Sequence, residues 1–189
     1  MTSVEEIRMT DPERLSHNAE QLAQCYGPFR DRARLVLDGQ EARGMRPRIA
    51  APAWRSSVLQ AAAVAAGNSQ VKWSFHQATA KDGTPESLAI DVLDDDYPMP
   101  SPHQSEWPAQ FRAFVFWLAA LAESRGLETG GVFGLRGEER EAWLHAIRNA
   151  VEPVVWLGAI GWDPCHVEPG GNFTTAAARA GRRPWAEGS

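Results

Sequence analysis

Cysteine is nearly absent from this sequence. Cys25 and Cys165 stand far apart, so no disulfide framework is inferred and both read as small buried thiols. Long hydrophobic runs are absent too. The longest, Phe114 to Ala122 and Val154 to Ile160, fall well short of the roughly 20 residues that cross a bilayer, so no membrane insertion is expected. Positive charge is not in excess: the formal net charge is -5, and Lys and Arg are scattered among acids. Without a basic stripe, nucleic acid is not an expected partner. The opening Met-Thr-Ser-Val-Glu-Glu has neither a basic start nor an apolar stretch, so the reading is a soluble product made in the cytoplasm without a signal peptide. There is no internal repeat, no nucleophile elbow, no His-Glu-x-x-His and no phosphate loop.

What is present suits one domain. At 189 residues and 43% apolar content, the chain can build a single core but not two. Residues 1–173 are expected to form that domain, with N-terminal helices over 11–44, a motif-bearing region over 45–168, and a flexible tail over 174–189. Asp11-Pro12-Glu13 starts a helix that carries Leu15, Ala19, Leu22 and Ala23 and runs to about Cys25. Gly27-Pro28 interrupts before Ala33, Leu35, Val36 and Leu37 repeat the helical spacing as far as Gly44. Arg46 to Ala51 reads as a strand, Arg55 to Ala66 as an Ala-rich helix, and Leu88 to Leu93 as a short strand that runs into a solvated acidic end, Asp94 to Asp96. A Pro-rich connection through Pro98, Pro100, Pro102 and Pro108 leads to helices over Phe111 to Ser124, with Phe114, Trp117, Leu118 and Leu121 on one face, and over Glu138 to Ala150, with Trp143, Leu144 and Ile147. Strands and loops follow from Pro153.

The chemistry is concentrated in two places. Ser74-Phe75-His76 is followed by Leu88-Ala89-Ile90-Asp91, and far downstream comes Trp162-Asp163-Pro164-Cys165-His166-Val167-Glu168. Two imidazoles, a carboxylate ligand and a second carboxylate are what a catalytic zinc requires: three protein ligands, an open position and a base. Cys165 is an alternative ligand beside His166. Glu168 shares a strand face with His166, as a partner behind the metal or as a ligand. Residues three apart on an ideal strand point to opposite faces, so Asp163 and His166 share a site only if the chain bends, and Pro164 supplies a bend. His17 and His145 read as surface residues, and His103 lies in the Pro-rich connection.

Read together, these motifs resemble the zinc D,D-carboxypeptidases and L-alanyl-D-glutamate peptidases that cut peptide stems of bacterial cell walls. Trp54-Arg55-Ser56 with Gln60, Ser74-Phe75-His76, Leu88-Ala89-Ile90-Asp91 and Asp163-Pro164-Cys165-His166 occur in that family's order, and Gly126-Leu127-Glu128-Thr129-Gly130-Gly131 matches its glycine-rich segment. The resemblance spans about residues 35–168. Fourteen residues separate His76 from Asp91, where the family usually has six. An insertion over Ala78 to Pro85 accounts for the difference, and a longer loop costs little closure entropy. Asp82, inside that loop, is the alternative third ligand; the apolar, strand-like frame around Asp91 favours Asp91. Ser87 stands where the family has Gly.

The resemblance implies an α+β fold, a small mostly antiparallel sheet flanked by helices, of the Hedgehog/DD-peptidase type. It implies Zn2+ held by His76, Asp91 and His166, Asp163 as general base, Arg55 binding a substrate carboxylate or oxyanion, and Ser74 and Gln60 contacting substrate. Trp54, Trp73 and Trp162 adjoin these motifs and are candidates to wall the cleft. The implied activity is hydrolysis of an L-Ala-D-Glu or D-Ala-D-Ala bond in the peptidoglycan stem. Action on the wall would follow holin-type release, as for a phage endolysin, or secretion. Two alternatives remain at this level: a wall-binding module with a structural or degenerate zinc site, and an intracellular D-Ala-D-Ala dipeptidase. Ser69-Gln70-Val71-Lys72 fits the Ser-x-x-Lys of serine D,D-peptidases but lacks the Ser-Asp-Asn and Lys-Thr-Gly partners.

Overall fold

The computed structural model describes residues 9–67, 69, 71–97, 103–149, 156 and 158–186. Among them the elements run α1 (Asp11–Leu22), α2 (Gly27–Glu41), β1 (Pro47–Ile49), α3 (Ser57–Ala65), β2 (Ile90–Asp94), α4 (Ala109–Glu123), β3 (Leu127–Gly130), α5 (Gly137–Arg148), β4 (Asp163–Pro169) and α6 (Thr175–Arg179). The strands pair antiparallel in the order β1-β2-β4-β3. The architecture is α+β, an antiparallel sheet flanked by helices, as the sequence leads one to expect. Pro98, Pro100 and Pro102 of the connection, Ala150, and Pro153 at the start of the late segment lie outside the described residues.

The core is organised around α4. Its segment has no breaker and is apolar on almost every side, and a helix of that kind belongs in the middle of a fold. Phe114, Val115 and Leu118 are fully buried, and the helix packs on α2, α5, β3 and β4. Each such side chain contributes roughly 1.5–3 kcal/mol relative to exposure. The single apolar face expected over Phe114, Trp117, Leu118 and Leu121 is therefore too narrow. Ile90 and Val92 on β2 and Val167 on β4 are buried in the core, while the alternating Asp91 turns the other way.

Helix α1 departs from its hydrophobic spacing. Leu15 is 52% exposed, and the buried face is Arg14, Asn18, Gln21 and Leu22. The reason is its neighbour: β1 lies at the edge of the sheet, and its outer backbone groups need partners. Asn18 donates to the Pro47 carbonyl at 2.9 Å and accepts from the Ile49 N–H at 2.8 Å. His17 Nε2 lies 2.8 Å from the Ile49 carbonyl, so His17 is half-buried rather than a surface residue. Gln21 accepts from the Ala53 N–H at 2.9 Å.

The acidic end of β2 is also less solvated than expected. Asp94 and Asp95 are buried, and Asp95 takes an ion pair from Arg48 at 2.7 Å and a longer one from Arg46 at 3.4 Å. Basic side chains of β1 and the turn before it neutralise what reads in sequence as a free acidic run. Beyond residue 173, α6 is followed by a segment in which the Arg183 guanidinium binds Glu86 at 3.0 Å and the Thr79 carbonyl, and Arg32 lies 4.4 Å from the ring of Trp185.

Candidate metal centre

Three elements deliver three donors. His76 sits in a single 3-10 turn, Phe75–Gln77, opened by Ser74, whose N–H donates to the Gln77 side chain at 3.1 Å. Asp91 on β2 and His166 on β4 are register partners across the sheet. The donor atoms of His76, Asp91 and His166 all lie within 4.8 Å of one another. Asp91 Oδ1 is 2.9 Å from His166 Nδ1 and 3.5 Å from His76 Nε2. Cys165 is buried in the core with its thiol pushed up by burial, and it is not part of the cluster. Asp82 is exposed and accepts from the Thr84 N–H at 3.0 Å inside its own turn. Of the open ligand alternatives, Asp91 is the one that meets the two imidazoles.

The surroundings aim these side chains. His76 Nδ1 lies 2.8 Å from the Ala53 carbonyl, which requires the proton on Nδ1 and leaves Nε2 with a free lone pair. That Nε2 is buried and has no hydrogen-bond partner. A buried imidazole nitrogen turned toward a carboxylate and a second imidazole fits a divalent cation, and this nitrogen-oxygen set suits zinc. Ser87, where the resembled family has Gly, is fully buried; its hydroxyl donates within reach of both the Ala53 and Ala89 carbonyls, at 3.0 and 2.7 Å. It thereby ties the start of β2 to the same carbonyl that orients His76. On the far side, His166 Nε2 is 2.9 Å from Glu168 Oε2, so Glu168 orients the ring and leaves Nδ1 facing the cluster.

Charge in the cluster is strongly coupled. Burial works to raise the Asp91 carboxyl, but the His76 and His166 imidazoles outweigh it and hold the group well below the usual carboxylate range. Burial likewise opposes a charged His166, yet its hydrogen bonds to Asp91 and Glu168 carry it up to about 10. Asp163, unlike Asp91, is shifted up: burial raises it, only partly offset by the His166 imidazole. Arg55 donates to Asp91 from the turn before α3, and its backbone N–H is held by the His76 carbonyl at 2.9 Å.

Asp163 reaches this cleft through a break in register. On β3, Thr129 pairs with Val167 while the next residue, Gly130, pairs with Asp163, so β4 bulges between them. That bulge is the bend anticipated at Pro164, and it turns Asp163 toward the cleft that His166 also lines. Glycine is required opposite it. A Cβ on Gly130 would fall inside the Asp163 carbonyl, and one on Gly161 inside the Gly130 carbonyl.

The resulting cleft has a volume of about 280 Å3. Arg55, Ser74, His76, Asp91, Asp163 and His166 all line it, with Val71, Phe133 and Trp162 as apolar wall. Trp162 is 54% exposed and packs on Phe133, 5.5 Å between ring centres. Trp54 and Trp73 are not among the lining residues. Gln60 is fully buried behind the wall: its amide donates to Ser69 Oγ at 2.8 Å and the Val71 carbonyl at 2.7 Å, and Ser74 Oγ is 3.4 Å from its oxygen. Phe133 and Thr175 also line the cleft and carried no sequence signal; both are uncharged residues in segments without periodicity.

No family model and no curated protein matches the sequence. Among solved structures, the chain is similar to the L-Ala D-Glu endopeptidase ChiX of Serratia marcescens, at 21% identity and a TM-score of 0.45, covering 89% of this chain and 93% of that one. Among the described residues, no helix is long and apolar enough to cross a membrane.

Proposed function

We propose that this chain is a zinc-dependent peptidase of one domain that hydrolyses an amide bond in the peptidoglycan stem, L-Ala-D-Glu or D-Ala-D-Ala. The observation that carries the reading is the unpartnered, buried Nε2 of His76 facing Asp91 and His166 in a cleft that also holds a second, half-buried carboxylate and a guanidinium. His76 Nε2, Asp91 and His166 Nδ1 would hold the ion. When bound, it supplies a Lewis acid that polarises a carbonyl and brings the pKa of water toward roughly 7.

The chain's own residues do the rest. Asp163, raised by burial, is suited to take a proton from the attacking water and return it to the departing amine. Arg55 offers a planar fork to a substrate carboxylate or to the developing oxyanion. Ser74 presents a hydroxyl from the cleft wall. Trp162 and Phe133 cover one side of the cleft and exclude water there. Gln60 acts through Ser74 and the Ser69–Val71 wall rather than by touching substrate. Access to the wall would come by holin-type release, as for an endolysin, or by secretion.

The test is digestion of purified wall sacculi with zinc-loaded and chelated protein, followed by mass analysis of released peptides. Zinc-dependent release identifies the bond from the fragment masses. Sacculi that release neither peptide nor free D-alanine in the presence of one zinc per chain would remove the reading.

A further inference from the structure

A second groove lies behind the cleft. Its volume is about 550 Å3, and it runs between the inserted loop, contributing Thr79, Ala80 and Lys81, and α6, contributing Ala178 and Arg179. The 3-10 turn and α6 separate the two spaces: Phe75, His76 and Thr175 line the cleft, whereas Trp73, Gln77 and Arg179 line the groove. Phe75 is backed by Phe173, 5.9 Å between ring centres.

Three cations face this groove in a chain whose formal net charge is -5. Arg183 is occupied, since it binds Glu86 and the Thr79 carbonyl and so pins the inserted loop to the C-terminal segment. The side chains of Lys81 and Arg179 make no hydrogen bond or ion pair among the described residues, and both residues are exposed. Tyr26, Trp73 and Glu86 also line it, and Glu86 is the carboxylate that Arg183 neutralises. Two exposed cations whose side chains have no partner match a ligand with free carboxylates.

We propose that this groove is an accessory site for a second, uncleaved peptide stem on the same wall polymer, with Lys81 and Arg179 engaging its carboxylates. The proposal rests on the peptidase reading for the identity of the polymer. The inserted loop then grips the substrate beside the scissile stem. Occupying both sites on one polymer raises the effective concentration of stems at the cleft.

The test is cosedimentation with sacculi stripped of phosphate polymers, using zinc-loaded chain carrying Asp163→Ala so that the wall stays intact. Adding Lys81→Glu and Arg179→Glu is expected to weaken retention at least about tenfold, with Lys81→Gln and Arg179→Gln falling between. Amidating the stem carboxylates should weaken the parent to the same degree, and rising salt should do so progressively. Unchanged retention in the charge-reversed chain at an unchanged melting temperature overturns the proposal. So does indifference to amidation, or retention on peptide-free glycan strands. Peptide release by the unsubstituted enzyme is scored separately: release with charge-independent retention removes only the groove, and charge-dependent retention without release removes only the peptidase.

Discussion

Asp91 and His166 face each other across β2 and β4, Oδ1 to Nδ1 at 2.9 Å, and each has a further partner behind it, Arg55 for the carboxylate and Glu168 for the ring. A cross-strand pair held on both sides is preorganised, because neither side chain needs to be ordered when a cation arrives. The same arrangement draws a proton onto His166 when no cation is present, so cation and proton compete for Nδ1.

Zinc should therefore stabilise the fold. At a free zinc concentration of about 100 times its Kd, the expected gain is about 2.7 kcal/mol, visible as a higher melting temperature that a chelator reverses. His76→Ala and His166→Ala should abolish both the gain and stoichiometric zinc retention. A zinc response that survives either substitution would assign the ion elsewhere.

Asp163→Ala should separate chemistry from metal binding. Zinc content is expected to stay near one per chain while turnover on wall peptides drops at least about a hundredfold, the usual contribution of a general base. Metal analysis and kcat on the same preparation decide it; parallel loss of zinc would make Asp163 a ligand instead.

Gly130→Ala tests the bulge. The added Cβ meets the Asp163 backbone, which cannot move aside as a side-chain tip can. A loss of at least about 3 kcal/mol, the upper end of overpacking costs, is expected in denaturant titration, together with reduced activity in whatever fraction stays folded.

Asp94 should give stability a pH dependence. Burial raises its carboxyl; the Asp96 N–H pulls it partway back, the Asp96 and Asp95 charges push it up again, and it reaches about 6 from an ordinary 3.8. The folded chain thus binds this proton more tightly than the unfolded chain. Its contribution is fully present below the unfolded value and is lost as pH rises through about 6. Asp94→Asn keeps an oxygen acceptor for the Asp96 N–H and should raise the melting temperature above that pH, with little effect below about 4. Melting curves of both proteins across the window check the sign; a uniform shift at every pH would refute it.

The cluster was legible in the sequence because imidazoles are few, five in 189 residues, and strand alternation tied Glu168 to the face of His166. The place of Asp91 beside the two imidazoles was legible through its apolar neighbours, Ala89 and Ile90, which mark a rigid strand. The slip of register opposite Gly130 was not, since a bulge depends on which strand pairs with which, and only the glycine hinted at it. Leu15 and Ala19 suggested an apolar face that α1 does not bury, because periodicity presumes that a helix packs against side chains; apart from Leu22, α1 lies against backbone, where Asn18 and Gln21 are the better fit. Asp94 and Asp95 looked solvated because the arginines that cover Asp95 come from residues 46 and 48, distant in sequence.

Asn18 has a consequence beyond its own helix. Its amide meets Pro47 and Ile49 as the main chain of a neighbouring strand would, so the position where another copy of this chain could add itself to the sheet is already taken. At this edge the molecule ends its own sheet with a side chain, and strand addition there is blocked.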